Sequence, residues 1–403
     1  MLFALATLAP MQSSDKYLQR GVSASKEDVH RAIGKLDKGL FEKSFCKIFP
    51  DVLGEDDAYC NIMSSDGSGT KSILAYLYWK ETGDASVFRG IAQDVVVMNL
   101  DDLLCVGATG PFVFSSVINR NKNKINGELI KEIIEGSAAF FELLHQHGIE
   151  VQFTGGETAD LGDVVKTITV DGTMTTRMPK ENIIRTSNIQ AGNVIVGLYS
   201  HGQATYESEY NSGIGSNGLT SARHDLLNKT YLQKYPETVD ESILDNLLYS
   251  GKFLLADNLP GTEISIGKAL LSPTRSFAPV IKSLLHDLKG KNAIYSLVHC
   301  TGGGQGKALH FLKDVKLVLN NFPEIPPVFH CIKENSETTW QEMFRVYNMG
   351  VRMQIFTEEK YADAIITLAK SFQVSASVIG HVERSALPTV EIKTGTEDVC
   401  LQL

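Results

Sequence analysis

Cysteine is scarce and poorly spaced for chemistry: 6 of the 403 residues, at Cys46, Cys60, Cys105, Cys300, Cys331 and Cys400. None forms a C-x-x-C pair, which leaves a zinc knuckle, a thioredoxin-like motif and a disulfide framework without support. Free, mostly buried thiols in a reducing cytosol fit instead, so the expected location is cytoplasmic. Positive charge is also in deficit, with 38 Lys and Arg against 47 Asp and Glu, a net −9. A surface of that sign repels phosphate backbones, and no nucleic-acid partner is expected. No apolar run approaches the ~18 residues of a membrane-spanning helix, so no membrane partner is expected either. Repeats and low-complexity tracts are missing, which excludes solenoids and linker-rich chains. The opening MLFALATLAPM carries no Lys or Arg ahead of its apolar stretch, and a polar run from Gln12 follows at once. Residues 1–20 therefore read as a loose extension, with Met11 an alternative start, rather than as a secretory signal.

What is present is ordinary globular material, 43% hydrophobic and 21% charged. At roughly 150 residues per domain the length suggests two or three domains. Strand and helix signals alternate through the first half. Residues 59–63 read as a strand entering a Gly-rich turn, and 91–104 as a long apolar stretch. Residues 126–147 form an amphipathic helix with Leu129, Ile130, Ile133, Ile134, Phe140, Phe141 and Leu144 at helical spacing; 151–153 and 164–176 are strands. A polar stretch at 187–192 precedes a strand at 194–199 and opens a second unit. Residues 225–259, polar and poorly periodic, read as a surface excursion. Helices are expected at 278–288 and 361–372, strands at 293–298 and 351–356, and a loosely held tail after Arg384. The expected organisation is an α/β unit over 21–187, an α+β unit over 188–388, and a tail over 389–403.

Three Gly-rich stretches invite a nucleotide reading that their spacing does not sustain. Thr70 separates Gly69 from Lys71, so the P-loop order fails; the stretch from Thr301 to Ala308 has Thr and Ala where Gly and Ser or Thr belong. Gly213-x-Gly215-x-x-Gly218 matches the dinucleotide fingerprint, but the preceding strand ends too far upstream. Other groupings say more. Asp66, Gly67, Gly69, Thr70 and Lys71 place a carboxylate, flexible backbone amides and an ammonium in one turn, suited to phosphate and a divalent ion, although an ordinary Asp-Gly turn has the same composition. Asp94, Asp101 and Asp102 lie in apolar surroundings, where carboxylates are costly unless paired or metal-bound; helix capping or an exposed loop is the plainer account. Gly155, Gly156 and Glu157 offer another glycine-and-acid station after a strand. Three such stations suggest Mg²⁺ and a polyphosphate. Arg275 could clamp a phosphate or be structural; His299 and His201 could be catalytic or structural.

Taken in order, these stations resemble aminoimidazole ribonucleotide synthetase, the phosphoribosylformylglycinamidine cyclo-ligase family. Its D-G-V-G-T-K is similar to Asp66 through Lys71, its N-D-L-x-x-x-G-A to Asp101 through Ala108, and its G-G-E-T-A is met unchanged from Gly155 to Ala159. S-N-G-Y-S resembles Ser216 through Thr220, A-P-T-R resembles Ser272 through Arg275, H-L-T-G-G-G resembles His299 through Gly304, and E-M-x-R-x-F-N-x-G resembles Glu342 through Gly350. The resemblance implies an N-terminal α/β domain whose sheet helps form a dimer barrel, an α+β C-terminal domain, a homodimer, and ATP with Mg²⁺ near the interdomain cleft. It implies cyclisation of formylglycinamidine ribonucleotide to aminoimidazole ribonucleotide, with release of ADP and phosphate. Carried over by position, Asp66, Asp94 and Asp102 would hold metal, and Asp66, Gly67, Gly69, Thr70, Lys71, Asp94, Asp102, Gly155, Gly156 and Glu157 the nucleotide. Asn217, Arg275 and Thr301 would touch substrate; Lys71 and His299 would be catalytic.

The departures are specific. The segment 37–52 is rich in Lys and Phe where the family is Gly-rich, and Gly215 stands where the family tends to have His, leaving His201 as a distant stand-in. The 225–259 excursion is longer than the family pattern. Selenophosphate synthetase, thiamine-monophosphate kinase and a hydrogenase maturation factor share the superfamily; the first wants a reactive Cys in an N-terminal Gly-rich loop, which Cys46 does not occupy. A nucleotide-binding regulatory protein without turnover is the rival of another class, countered by the intact Asp66, Lys71, Asp102 and Glu157.

Overall fold

Two sheets, each closed against helices, account for the alternation of strand and helix signals. A computed structural model describes residues 16–23, 27–395 and 397–402; the question of Met11 lies outside them. The first sheet contains β1 (Ile48–Pro50), β2 (Tyr59–Gly67), β3 (Phe112–Arg120), β4 (Val151–Asp160) and β5 (Ile168–Pro179), in the order β1-β2-β5-β3-β4. Only β3 and β4 run parallel. Parallel neighbours need a crossover, and the amphipathic Gly127–Gln146 helix supplies it, capped by Asn126, whose side chain accepts from Leu129 N. The stretch expected only to be apolar is the helix Val87–Leu104. It is apolar nearly all round because it is covered on one side by the sheet and on others by neighbouring helices. The opposite face of this sheet exposes Met63, Val113 and Val117; Met63, Thr175 and Val113 stand in one cross-strand row.

The second sheet is built from β6 (Val194–Tyr199), β7 (Ile294–His299), β8 (Val315–Leu319), β9 (Val351–Thr357), β10 (Ala376–Arg384), β11 (Val390–Lys393) and β12 (Asp398–Leu401). Its order is β12-β11-β8-β10-β6-β9-β7. Helix Glu359–Ser371 packs on it, and helix Ala278–Asp287 packs on that helix and on Val87–Leu104. β9, buried at every position, lies between β6 and β7.

Four expectations change. The residues after Arg384 are not a loose tail: Val390, Ile392, Val399 and Leu401 are buried and extend the sheet. Of the N-terminal extension, Arg20 is buried and paired with Asp225 at 2.7 Å, with Leu247 O accepting from its Nε. The 225–259 excursion is not superficial, since Leu226, Leu227, Tyr231, Leu248, Tyr249, Leu255 and Leu259 are core residues. It also grips the first unit: Tyr76 donates to Glu237 at 2.6 Å, Lys124 pairs with Glu237 at 3.2 Å, and Lys234 and Tyr235 reach Glu81. Its polarity reflects these bonds between units. Finally, Gly155, Gly156 and Glu157 lie within β4, not in a turn. The β3–β4 register shifts there, between Phe114 and Ser116. Gly155 has φ +82°, and a Cβ on Gly156 would come within 1.7 Å of Ser116 O. One glycine answers a conformational demand and the other a close approach.

Candidate active site

The two units meet along the Val87–Leu104 helix, whose acids face the second unit. Lys71, at the start of the Lys71–Thr82 helix, buries its Nζ between Asp94 Oδ1 at 2.9 Å and Ser272 O at 2.6 Å. Asp94 Oδ1 also accepts from Thr274 N at 2.7 Å and Thr274 Oγ1 at 2.6 Å. Both Lys71 and Asp94 side chains are 0% exposed. Burial pushes the Lys71 ammonium below its ordinary range, opposed by the Asp94 charge. Just before Lys71, Thr70 Oγ1 meets Thr220 Oγ1 at 2.8 Å, and Asn99 Nδ2 donates to Asp66 O at 3.1 Å. Thus the turn from Asp66 to Lys71 is fastened to residues from two other stations, 216–220 and 272–275.

Two turns along the same helix a second set forms. Asp101 accepts from Ser276 Oγ at 2.9 Å and Phe277 N at 3.3 Å, and pairs with Arg352 Nη2 at 2.7 Å. Asp102 Oδ1 lies 2.9 Å from His299 Nδ1, and His299 Nε2 meets Arg352 Nη1. Burial raises the Asp102 carboxyl to about 7, against the charges of Lys307 and Arg352. Burial, aided by the Arg352 charge, holds the His299 imidazole well below its ordinary range, so it is neutral.

The structure therefore unites Thr70, Lys71, Asp94, Asp102 and His299 at one junction, with Asp66 tied in through its backbone. Asn217 approaches Gly302, the residue after Thr301: a Cβ built on Gly302 would stand 3.7 Å from Asn217 Nδ2. Several expected roles are displaced. Arg275 is a clamp inside the second unit, its Nε on Glu207 at 3.0 Å and its Nη1 on Tyr199 O and His201 O; with 1% exposure it has no open face for a phosphate. Lys71 is likewise enclosed by protein partners. His299 is fully buried with both ring nitrogens engaged, a geometry for holding rather than for proton transfer to a ligand. Glu157 is exposed in β4, in one row with Val117, Asp171 and Gly67. Three strand spacings put it about 14 Å from Gly67. His201 stacks on Tyr199 and lines a separate cavity of about 390 Å³ with His330 and Cys331; no bond among the described residues joins it to Asn217 or Thr301.

Asp66, Asp94 and Asp102 are not gathered into one metal cage. Among the described residues no three His, Cys, Asp or Glu side chains are placed to hold an ion together. Asp94 does keep one buried oxygen, Oδ2, without a partner, but its other oxygen already serves Lys71 and Thr274. Thr70 caps the Lys71–Thr82 helix without a side-chain bond; the first-turn amides Ser72 N and Ile73 N donate instead to Gly69 O and Thr70 O. Gly67 admits the Asp171 carboxylate, which would clash with a Cβ at 2.1 Å. A larger cavity of about 820 Å³ opens on the far side of Gln93 and Ser272, between the Val87–Leu104 and Gly127–Gln146 helices and the loops near Tyr206 and Pro273.

Comparison with known proteins decides the family. Residues 52–178 match the model for the AIR synthase related protein N-terminal domain, and 190–393 match its C-terminal domain. The chain belongs to the AIR synthase related family. A Methanocaldococcus jannaschii relative, 30% identical over 376 residues and 91% of each chain, is named phosphoribosylformylglycinamidine cyclo-ligase. A Thermoplasma acidophilum relative with the same name is 30% identical over 332 residues, 82% of each chain. Among solved structures, Thermotoga maritima PurL complexed with FGAR matches with TM-score 0.54 at 15% identity, covering 94% of this chain and 49% of that one. The chain thus spans about half of that protein. A HypE–HypF complex matches with TM-score 0.54 at 16% identity, over 94% and 99%. These last two likenesses are of fold.

Arg352 escaped the reading of motifs, as did the bonds of Thr274 and Thr220. The motif through Gly350 stops two residues short of Arg352. The signal was a lone charge in a mostly apolar strand, Val351-Arg352-Met353-Gln354-Ile355-Phe356, because a charge is buried there only when paired.

Proposed function

We infer that this protein is an ATP-dependent cyclo-ligase of purine biosynthesis, converting formylglycinamidine ribonucleotide to aminoimidazole ribonucleotide with release of ADP and phosphate. The observation that carries the reading is the junction itself: family stations from both units, separated by up to 201 residues along the chain, are joined by short buried bonds, in a chain 30% identical over 91% of its length to a named cyclo-ligase. In this reading the formyl amide oxygen takes the terminal phosphoryl group of ATP. The amidine nitrogen then attacks that carbon, the ring closes and phosphate leaves. The demands are positioning and charge neutralisation. The backbone of the Asp66–Thr70 turn would receive phosphate oxygens. Lys71 would add its charge from behind, through Asp94, rather than by contact. Asn217 and Thr301 would meet the substrate, with Glu157 reaching the nucleotide's far end. Magnesium would arrive with the nucleotide, since Asp66, Asp94 and Asp102 do not form a cage. We further propose a cytoplasmic homodimer that covers the apolar row of Met63 and Val113, with units divided near 187–188.

The test is ADP release by the purified protein with Mg²⁺-ATP and formylglycinamidine ribonucleotide, with the product followed as aminoimidazole ribonucleotide. Substrate-dependent release of both supports the reading. ATP bound without turnover overturns it in favour of a regulatory protein, and turnover only with thiamine monophosphate or selenide moves the chain to those activities.

A further inference from the structure

We propose that Arg352 is a positioning residue that fixes the proton of His299 on Nδ1 and so aims the Asp102 carboxylate into the junction between the two units. Arg352 is 2% exposed in β9, the strand between β6 and the edge strand β7. Its Nη2 donates to Asp101 Oδ2 at 2.7 Å and to the carbonyl of Arg275, and its Nη1 meets His299 Nε2. A guanidinium has only donors. His299 Nε2 must therefore be the accepting nitrogen, and in a neutral ring the proton lies on Nδ1. That N–H points at Asp102 Oδ1, 2.9 Å away. The result is an unbroken line, Asp101–Arg352–His299–Asp102, that begins and ends on consecutive residues of the Val87–Leu104 helix and passes through the second unit between them.

The surroundings favour this arrangement over a solvated one. The Phe277 ring lies 5.0 Å from the guanidinium carbon and the Phe45 ring 6.4 Å from the His299 ring. Both keep water from replacing either partner. Without Arg352 only Asp102 holds the proton at Nδ1, and Nε2 loses the donor and the neighbouring positive charge that keep it unprotonated. This is the same logic by which a neighbouring group sets a histidine tautomer in metal and catalytic sites. A bidentate, three-acceptor role also separates Arg from Lys, whose single ammonium cannot serve Asp101, a carbonyl and an imidazole in one plane.

The decisive measurement is ¹⁵N NMR of the histidine-labelled full-length protein, with His299 assigned by its loss in His299→Gln. The wild type is expected to show His299 protonated at Nδ1 only. Arg352→Met removes the donor; because it also strands Asp101, the double variant Arg352→Met with Asp101→Asn, which buries no unpaired charge, is measured beside it. In whichever of the two folds, a proton is expected on Nε2 of His299. A wild-type ring protonated at Nε2, or a variant ring still protonated only at Nδ1, overturns the proposal. The kinetic arm rests on the cyclo-ligase reading. In the folded variant kcat is expected to fall about 100-fold, the scale of a misplaced group, with the KM for each substrate changed less than about threefold. A KM-dominated loss, or an unchanged kcat in an active enzyme, also overturns it. If the wild type closes no imidazole ring, the function fails while the tautomer measurement still decides the role of Arg352.

Discussion

Replacing Lys71 by Met should damage the fold before it reports on phosphate. The ammonium lies 2.9 Å from Asp94 and 2.6 Å from Ser272 O, with both side chains of the pair fully enclosed. Removing it leaves the Asp94 charge with only the Thr274 donors and with Oδ2 already unpartnered. Breaking a buried pair from one side costs about 3–5 kcal/mol, a large share of the ~5–15 kcal/mol that holds a typical protein folded. The urea midpoint of Lys71→Met should drop accordingly. The double variant Lys71→Met with Asp94→Asn, which buries no charge, should be more stable than Lys71→Met alone. A single variant within about 1 kcal/mol of wild type, or a double variant worse than both singles, refutes the idea that the pair fastens the two units. Loss of turnover in a Lys71 variant therefore says nothing about a phosphate contact unless ATP binding is measured where the variant is folded.

Three further outcomes are expected. The Asp102 carboxyl, raised to about 7 by burial, binds its proton more tightly folded than unfolded. Its contribution to stability is complete below its ordinary range near 4 and is lost as pH rises through about 7. The melting temperature of the wild type should accordingly fall relative to Asp102→Asn between about pH 4 and 7, and parallel curves would contradict this. Tyr76→Phe deletes the 2.6 Å bond to Glu237 and should cost about 1.5–3 kcal/mol, as for bonds to charged groups; chemical denaturation reads the loss, and an unchanged midpoint would show that the 225–259 segment does not grip the first unit. Gly156→Ala places a Cβ within 1.7 Å of Ser116 O and should break the shifted β3–β4 register, while Gly127→Ala, with nothing within 4 Å, should be tolerated. Hydrogen exchange along β3 and β4 distinguishes the two, and equal protection would remove the packing argument for the second glycine.

The linear order of motifs was enough to suggest the family and the chemistry, because glycines and acids at fixed spacing survive where the rest of the chain diverges from the family pattern. The amphipathic Gly127–Gln146 helix was legible because its periodicity records which face is buried, and strand β6 because it is a short run rich in Val and Ile after a polar stretch. Other features depend on contacts that no window of sequence contains. The 225–259 segment looked like surface because its Glu and Lys residues are polar, yet they are spent on bonds to Tyr76, Lys124 and Glu81. The residues after Arg384 looked loose because strands as short as β11 and β12 carry little pattern, and the neighbouring strand β8 gives them their order. Arg275 and Lys71 carry the charge expected of phosphate ligands; only the fold reveals that Glu207, Asp94 and backbone carbonyls already occupy them. Sequence alone thus determined which groups are available to the chemistry. Tertiary structure decided which of them face a ligand and which face each other, because burial makes an unpaired charge too costly and forces each one to find its partner across the chain.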